Sequence, residues 1–247
     1  MGRSTAPYGM LLDRGLTLEQ LDIAFDIAVA DPDPKTNRRR LTIALRDLVS
    51  EQEAEGKTKK CLTRVWLNPP SEAAEMIVWA RTHALPASVR PALHLGALLA
   101  TFPFAGTVAK VVGQHFQTEG SVEASAVRNE VRRTLGDRSS IEVAVRKAYT
   151  TFRNLEALRQ TGQILSPVPE RAPVSDPFIA AWLSHAVLLT RQVESQPLTS
   201  LRSAPELLGM QLPGSLSTEY PLLELHSYGG APVVMRRDAS HACSKAG

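Results

Sequence analysis

Aromatic side chains are scarce in this chain, at 5% of 247 residues, and only two cysteines are present. Trp66, Trp79 and Trp182 fall in separate segments with no basic–aromatic alternation around them. They read as core anchors rather than as a platform for stacking bases. Cys61 and Cys243 belong to no C-x-x-C pair, so neither zinc nor a disulfide framework is expected, and a reduced pair is the default. The longest apolar run, residues 92–102, is broken by His94 and Thr101 and is too short to span a bilayer. No apolar signal segment follows the polar opening at residues 1–8, and Ala6 stands where a myristoylated Met-Gly start would want Ser or Thr. The expectation is a cytoplasmic protein with no membrane contact.

Catalytic signatures are missing too. There is no phosphate loop, dinucleotide glycine fingerprint, G-x-S-x-G elbow or H-E-x-x-H. His83, His94, His115, His185 and His226 are scattered, and His241 lies near the end. Glu72 and Glu75 share a helix without a histidine partner. No catalytic residue, metal, cofactor or small-molecule substrate is therefore expected. An enzyme with a divergent motif would need a polar pocket uniting several of these dispersed groups.

What is present is helical periodicity. Thr17 with Gln20 makes a capping box ahead of Leu18, Leu21, Ala24, Phe25 and Ala28, and the Asp31-Pro32-Asp33-Pro34 run ends that helix. A second helix is predicted over 35–54, opening on Arg38, Arg39 and Arg40. Residues 55–60, with Gly56, read as a charged linker, and 62–67 as a short apolar stretch of open type. Ser71 is predicted to cap a helix through Ala80. Pro86 and Pro91 mark the entry to an apolar helix ending at Thr101, and Pro103 breaks it.

The densest pattern runs from 107 to 168. A helix over 107–116 is followed by extended Ser121-Val122, a helix over 124–135 and a polar turn at 136–140. A third helix over 141–154 leads to two short extended pieces, 157–160 and 163–168, joined at Thr161-Gly162. On the third helix Ile141, Val145, Ala148, Tyr149, Phe152 and Leu155 recur at steps of three and four, which makes one buried stripe. Val127, Val131 and Leu135 do the same on the second. Ser140 is the expected cap of the third helix. This order of elements is that of a winged helix-turn-helix.

Outside the stripes lie Arg128, Arg132, Arg133, Arg138, Arg146, Lys147, Thr150 and Arg153, with Arg159 in the hairpin. Such side chains can neutralise phosphates or fork onto guanine edges. On an ordinary surface helix they would be solvated charges, and their coincidence with a turn and a wing is what points to double-stranded DNA. Residues 121–165 hold eight Lys and Arg against five Asp and Glu, a surplus of about three that matches the whole-chain net charge of +3. That is small for a tight-binding repressor and suits a partner-assisted contact. Arg38, Arg39 and Arg40 form a secondary basic cluster, either a solvated turn or further phosphate contacts.

After four prolines within 166–177, Asp176-Pro177 starts another apolar helix, 178–189. Residues 197–210 read as short helices, and 222–228 with 231–237 as a β-hairpin turning on Gly229-Gly230. The tail after Asp238 reads as disordered. The expected fold is mainly α: a helical bundle with an embedded winged helix-turn-helix and a small C-terminal β-hairpin. The expected segments are 1–105, 106–168 and 169–247.

Three stretches carry a family resemblance. Leu95-Gly96-Ala97-Leu98-Leu99-Ala100-Thr101-Phe102-Pro103-Phe104, the 140–158 segment containing VRKAYTTFRNLEAL, and the layout of 185–189 followed by 200–212 resemble the BrxA proteins of BREX phage-defence systems. The resemblance covers residues 60–212 and departs at the amino terminus, which lacks an aromatic-rich opening. It implies a small, mostly helical, non-catalytic protein with a fold compared to the NusB antitermination factor. It also implies DNA binding in the service of a defence complex, with other subunits of that complex as partners, and it carries over no catalytic residue. The alternatives are a transcriptional regulator or a protein-interaction scaffold whose winged segment packs against another subunit.

Overall fold

The computed structural model describes residues 10–49, 51–83, 85–136, 138–169 and 174–237. The expectations for residues 1–8, for Asp137, for part of the 166–177 connector, and for His241, Cys243 and the tail lie outside the described residues. The fold is mainly α with small antiparallel sheets, as the periodicity demands.

An extended strap, residues 10–17, leads into α1 (Leu18–Ala30), whose capping box uses both Thr17 and Gln20. Asp33 accepts from the backbone N–H groups of Lys35 and Thr36 and starts α2 (Pro34–Arg46). α3 (Gln52–Leu62) continues as a π-helical turn, Thr63–Leu67. α4 (Ser71–Thr82) follows, and then a 3-10 turn, Ala87–Val89, enters α5 (Arg90–Thr101). The chain bends by 116° at Phe102, and α6 (Pro103–Glu119) begins with proline in its first turn.

Three expectations in this half need correction. The helix predicted over 35–54 stops at Arg46, and the supposed linker 55–60 is helical. Charge density and Gly56 disguised a helical period, in which Ala54, Thr58, Cys61 and Leu62 are buried while Lys57 pairs with Glu53 one turn back. Ser71 is not a cap: Pro70 holds that position, and no side chain bonds the first-turn amides.

The middle of the chain adds β1 (Val122–Glu123), α7 (Ala124–Leu135), α8 (Ser139–Asn154), β2 (Arg159–Thr161) and β3 (Ile164–Ser166). The last part adds α9 (Pro177–Arg191), capped by Asp176, then β4 (Ser195–Pro197) and α10 (Leu198–Arg202). A 3-10 turn, Pro205–Leu207, precedes the hairpin of β5 (Leu223–Tyr228) and β6 (Ala231–Arg236). That hairpin gains a third strand, in the order β4-β6-β5. β4 is the polar run Ser-Gln-Pro, which shows no alternation by which to recognise it.

One hydrophobic core runs through all three expected segments. At its centre α5 and α9 cross closely. Gly96 leaves room for the Trp182 ring, whose indole N–H donates to the Leu93 carbonyl. α6 is held to the 3-10 turn at the point where Gly113 meets the Pro205 carbonyl, so close that no Cβ fits between them. The adjoining Glu206 carboxylate is fully buried and takes two hydrogen bonds from Arg191, at 2.9 and 2.8 Å. The middle segment is thus clasped into the body on both sides.

Candidate nucleic-acid interface

The helix–strand–helix–turn–helix–hairpin order of α6, β1, α7, α8 and β2–β3 is closed by the sheet order β1-β3-β2. Val122 lies opposite Leu165, and Arg159, Gln160 and Thr161 lie opposite Ser166, Leu165 and Ile164. Val122 and Leu165 are buried and anchor the wing. Two polar ties fix the hairpin to the helices. The Ala124 N–H donates to the Gln163 carbonyl at 2.8 Å, and the Tyr149 hydroxyl donates to the Ala124 carbonyl at 3.1 Å. Desolvation raises the Tyr149 phenol well above its ordinary value, so it remains a donor.

α7 ends where Gly136 takes φ +97, and α8 begins after Arg138. Ser140 is therefore already inside the first turn, and no side chain caps this helix, a correction to the expected cap. Ile141, Val145, Ala148, Tyr149, Phe152 and Leu155 are all buried, as the stripe requires. α8 closes in a Schellman arrangement. The Ala157 N–H donates to the Phe152 carbonyl at 2.7 Å, the Glu156 N–H donates to the Arg153 carbonyl at 2.9 Å, and Glu156 takes the left-handed conformation at φ +53.

The basic side chains divide into two groups. Glu142 lies 3.9 Å from Arg128 and 3.6 Å from Arg146, so part of the positive charge is answered within the unit. Arg132 is partly buried on α7, and Arg133 is exposed with its Nε on the Asn129 carbonyl. Arg138, Arg153 and Arg159 are exposed and Lys147 is half-buried. None of these four makes an ion pair among the described residues.

The strap crosses the last turns of α8, a contact with no signature in the sequence. The Leu16 N–H donates to Thr151 Oγ1 at 3.0 Å, and Asn154 Nδ2 donates to the Leu16 carbonyl at 2.9 Å. Gly15 lies against Thr150, where an added Cβ would come within 2.7 Å of that side chain. The Thr150 hydroxyl donates to the Arg146 carbonyl. Thr150 is thus a packing residue under the strap, and the open part of α8 is its amino-terminal half. Arg38, Arg39 and Arg40 lie elsewhere, on α2, which packs mainly on α1, α3 and the π-helical turn.

The scattered histidines are brought into contact with partners. His94 is fully buried, with Nδ1 accepting from Trp66 Nε1 at 3.2 Å and Nε2 at 2.9 Å from Asp22. Since indole nitrogen only donates, Nε2 carries the proton and donates to Asp22. Burial lowers the imidazole's proton affinity despite Asp22, and the His94 and Arg90 hydrogen bonds hold Asp22 below its ordinary range. With both ring nitrogens engaged, His94 offers no free lone pair for base catalysis. A sequence signal for this network existed: Asp22 and Asp26 on α1 match Arg90 and His94 on α5 at the same four-residue step.

His115 joins α6 to α7, its two ring nitrogens 2.8 Å from Glu119 and 3.1 Å from Glu130. Burial opposes protonation, but the two carboxylates outweigh it and raise the pKa. Nearby, a cleft of about 340 Å³ is lined by groups such as Lys110, Glu130, Arg191 and Glu206, with no histidine among its described residues. No group of three or more His, Cys, Asp or Glu suited to a metal occurs among the described residues. Cys61 is buried, and its thiol is pushed up to about 11 by desolvation. No single helix among the described residues is long and apolar enough to cross a membrane.

No protein-family model matches the chain, and neither a curated protein nor a solved structure proved similar to it.

Proposed function

We propose that this protein contacts duplex DNA without catalysing a reaction, through the exposed side chains of α8 and the β2–β3 wing. The observation that carries the reading is the winged-helix order with its β1-β3-β2 sheet, from which Arg138, Arg153 and Arg159 project and Lys147 partly emerges. A helix presenting its first turns is the part that enters a major groove in this arrangement, while flanking arginines hold phosphates. Glu142 beside Arg128 and Arg146 limits the net field, which suits a moderate contact inside an assembly. The resemblance of the 95–104 and 140–158 segments to BrxA proteins supports an accessory role in a BREX-like defence complex in the bacterial cytoplasm.

The test is duplex titration at low salt with Arg146, Lys147 and Arg153 changed together to Glu. Binding is lost while the circular dichroism spectrum stays the same. Undiminished affinity in the triple variant overturns the assignment.

A second reading has its own support. Val143 on α8 is 46% exposed and Ile164 in the wing 41%, two apolar side chains on the elements that would face DNA. They suit a scaffold or regulator that uses this unit for subunit contacts. Recovery of a stoichiometric partner that Val143→Asp and Ile164→Asp abolish, with no salt-dependent DNA affinity, establishes this reading instead.

A further inference from the structure

We infer that α2 is a second phosphate-binding element, a basic ridge that tracks a nucleic-acid backbone alongside the winged unit; the inference rests on the DNA reading above. Lys35, Arg38, Arg39, Thr42 and Arg46 stand at i, i+3, i+4, i+7 and i+11, the spacing of one helix face. The four cations among them are exposed, and none makes an ion pair among the described residues. Lys59 joins them from α3, its Nζ 3.3 Å from Thr42 Oγ1. Such a ridge runs roughly 16 Å along the helix axis.

The ridge is not the run of three arginines that the sequence displays. Arg40 points away from it, to a carboxylate of Asp31 at 3.7 Å, while Arg46, a turn and a half further on, belongs to it. From 34 to 62 the chain holds eight Lys and Arg against four Asp and Glu, a larger surplus than the net +3 of the whole protein. The acidic groups nearest in sequence are Asp33 and Asp47 at the ends of α2, and Glu51, Glu53 and Glu55 on or before α3. Asp33 is occupied as a cap and Glu53 with Lys57.

An unpaired row of cations on a rigid helix favours a regular row of anions, and a nucleic-acid backbone supplies one. A membrane surface fits less well, because insertion needs an apolar face beside the basic one. Of the large apolar side chains of α2, Leu41 and Leu45 are fully buried in the body, and Ile43, 55% exposed, is a single residue rather than an inserting face. The ridge is also linked to the winged unit. Lys60, next to Lys59, lies 3.6 Å from Asp13 of the strap that crosses α8.

The experiment is duplex titration of the full chain between 50 and 200 mM salt, comparing the parent with R38A/R39A/R46A. Alanine preserves helix propensity. Three lost phosphate contacts reduce the slope of log affinity against log salt by about 2.7, so the fall in affinity across that range shrinks about 40-fold. R38K/R39K/R46K keeps the parent slope, which separates charge from folding, and R40A leaves the slope unchanged. An unchanged slope in the alanine variant, with binding lost in the α8 charge-reversal variant, overturns the ridge and leaves the winged reading standing. The converse result keeps the ridge and overturns the winged reading. R40A acting as strongly as R39A refutes the one-face geometry. Preference for phosphatidylserine vesicles over duplex at equal salt refutes a nucleic acid as the ligand.

Discussion

Acid weakens this protein through His185. The imidazole is 6% exposed on α9, with Nδ1 3.0 Å from the hydroxyl of Tyr220, itself fully buried. Desolvation raises the phenol well above its ordinary value, so the hydroxyl keeps its proton and donates it to Nδ1. Protonating the ring would put a second N–H against that donor in a dry site. Burial, aided by the charge of Arg236, pushes the imidazole down to about 3. The folded value lies below the unfolded value of about 6.5, so the unfolded chain takes up the proton first as pH falls. Stability is therefore full above about pH 6.5 and drains away towards pH 3. By linkage the loss is about 2 kcal/mol at pH 5 and about 3 kcal/mol at pH 4. The assay is urea unfolding, followed by tryptophan fluorescence at pH 7, 6, 5 and 4, for the parent and His185→Asn. Asn Oδ1 can accept from Tyr220 yet does not titrate. The variant starts less stable at pH 7 but loses about 3 kcal/mol less on the way to pH 4. His94 and Asp22, lowered, and His115, raised, titrate in both proteins and cancel in the difference. Parallel pH profiles for the two proteins would refute the assignment.

Breaking the Arg191–Glu206 pair by Glu206→Ala removes two hydrogen bonds to a buried carboxylate and leaves a partly exposed guanidinium in the cleft, lowering stability by about 1.5–3 kcal/mol; a loss under about 1 kcal/mol in urea shows that the clasp is dispensable. Glu156→Gly has the opposite sign. It relieves the left-handed conformation at the end of α8 and raises stability by about 0.5–1 kcal/mol, and an unchanged or lower melting temperature counts against strain there.

Short-range signals in this sequence are mostly legible, and long-range ones are not. The stripe of α8, the caps at Thr17 and Asp176, and the glycine turn of the β5–β6 hairpin are local, so three or four residues suffice to state each. Composition masks the period in α3, and β4 is too short and polar to alternate. Ser71 and Ser140 looked like caps because the residue type was right. The chain enters each helix one or two residues earlier, after Pro70 and Arg138. Contacts such as Leu16 with Thr151, 135 residues apart, leave no local trace. The buried network at His94 lay between these extremes. Its matched four-residue steps on α1 and α5 are visible once the two helices are known to touch.

The strap and Glu142 together decide how the basic residues of the winged unit divide. The strap packs against Thr150, leaving it half-buried, and ties down the last turn of α8 through Asn154. Glu142 draws Arg128 and Arg146 towards the α7–α8 seam. What projects freely is a set of separated cations, at the entry to α8, near its end and in the wing. Separated cations of this kind hold a duplex in place but discriminate little between sequences, because discrimination needs several side chains on adjacent base edges. The proposed ridge on α2 would increase phosphate contact without adding any reader of bases. The physical expectation is strong salt dependence with weak sequence preference. On the proposed reading, partners in an assembly rather than base contacts would choose where on the duplex the protein sits.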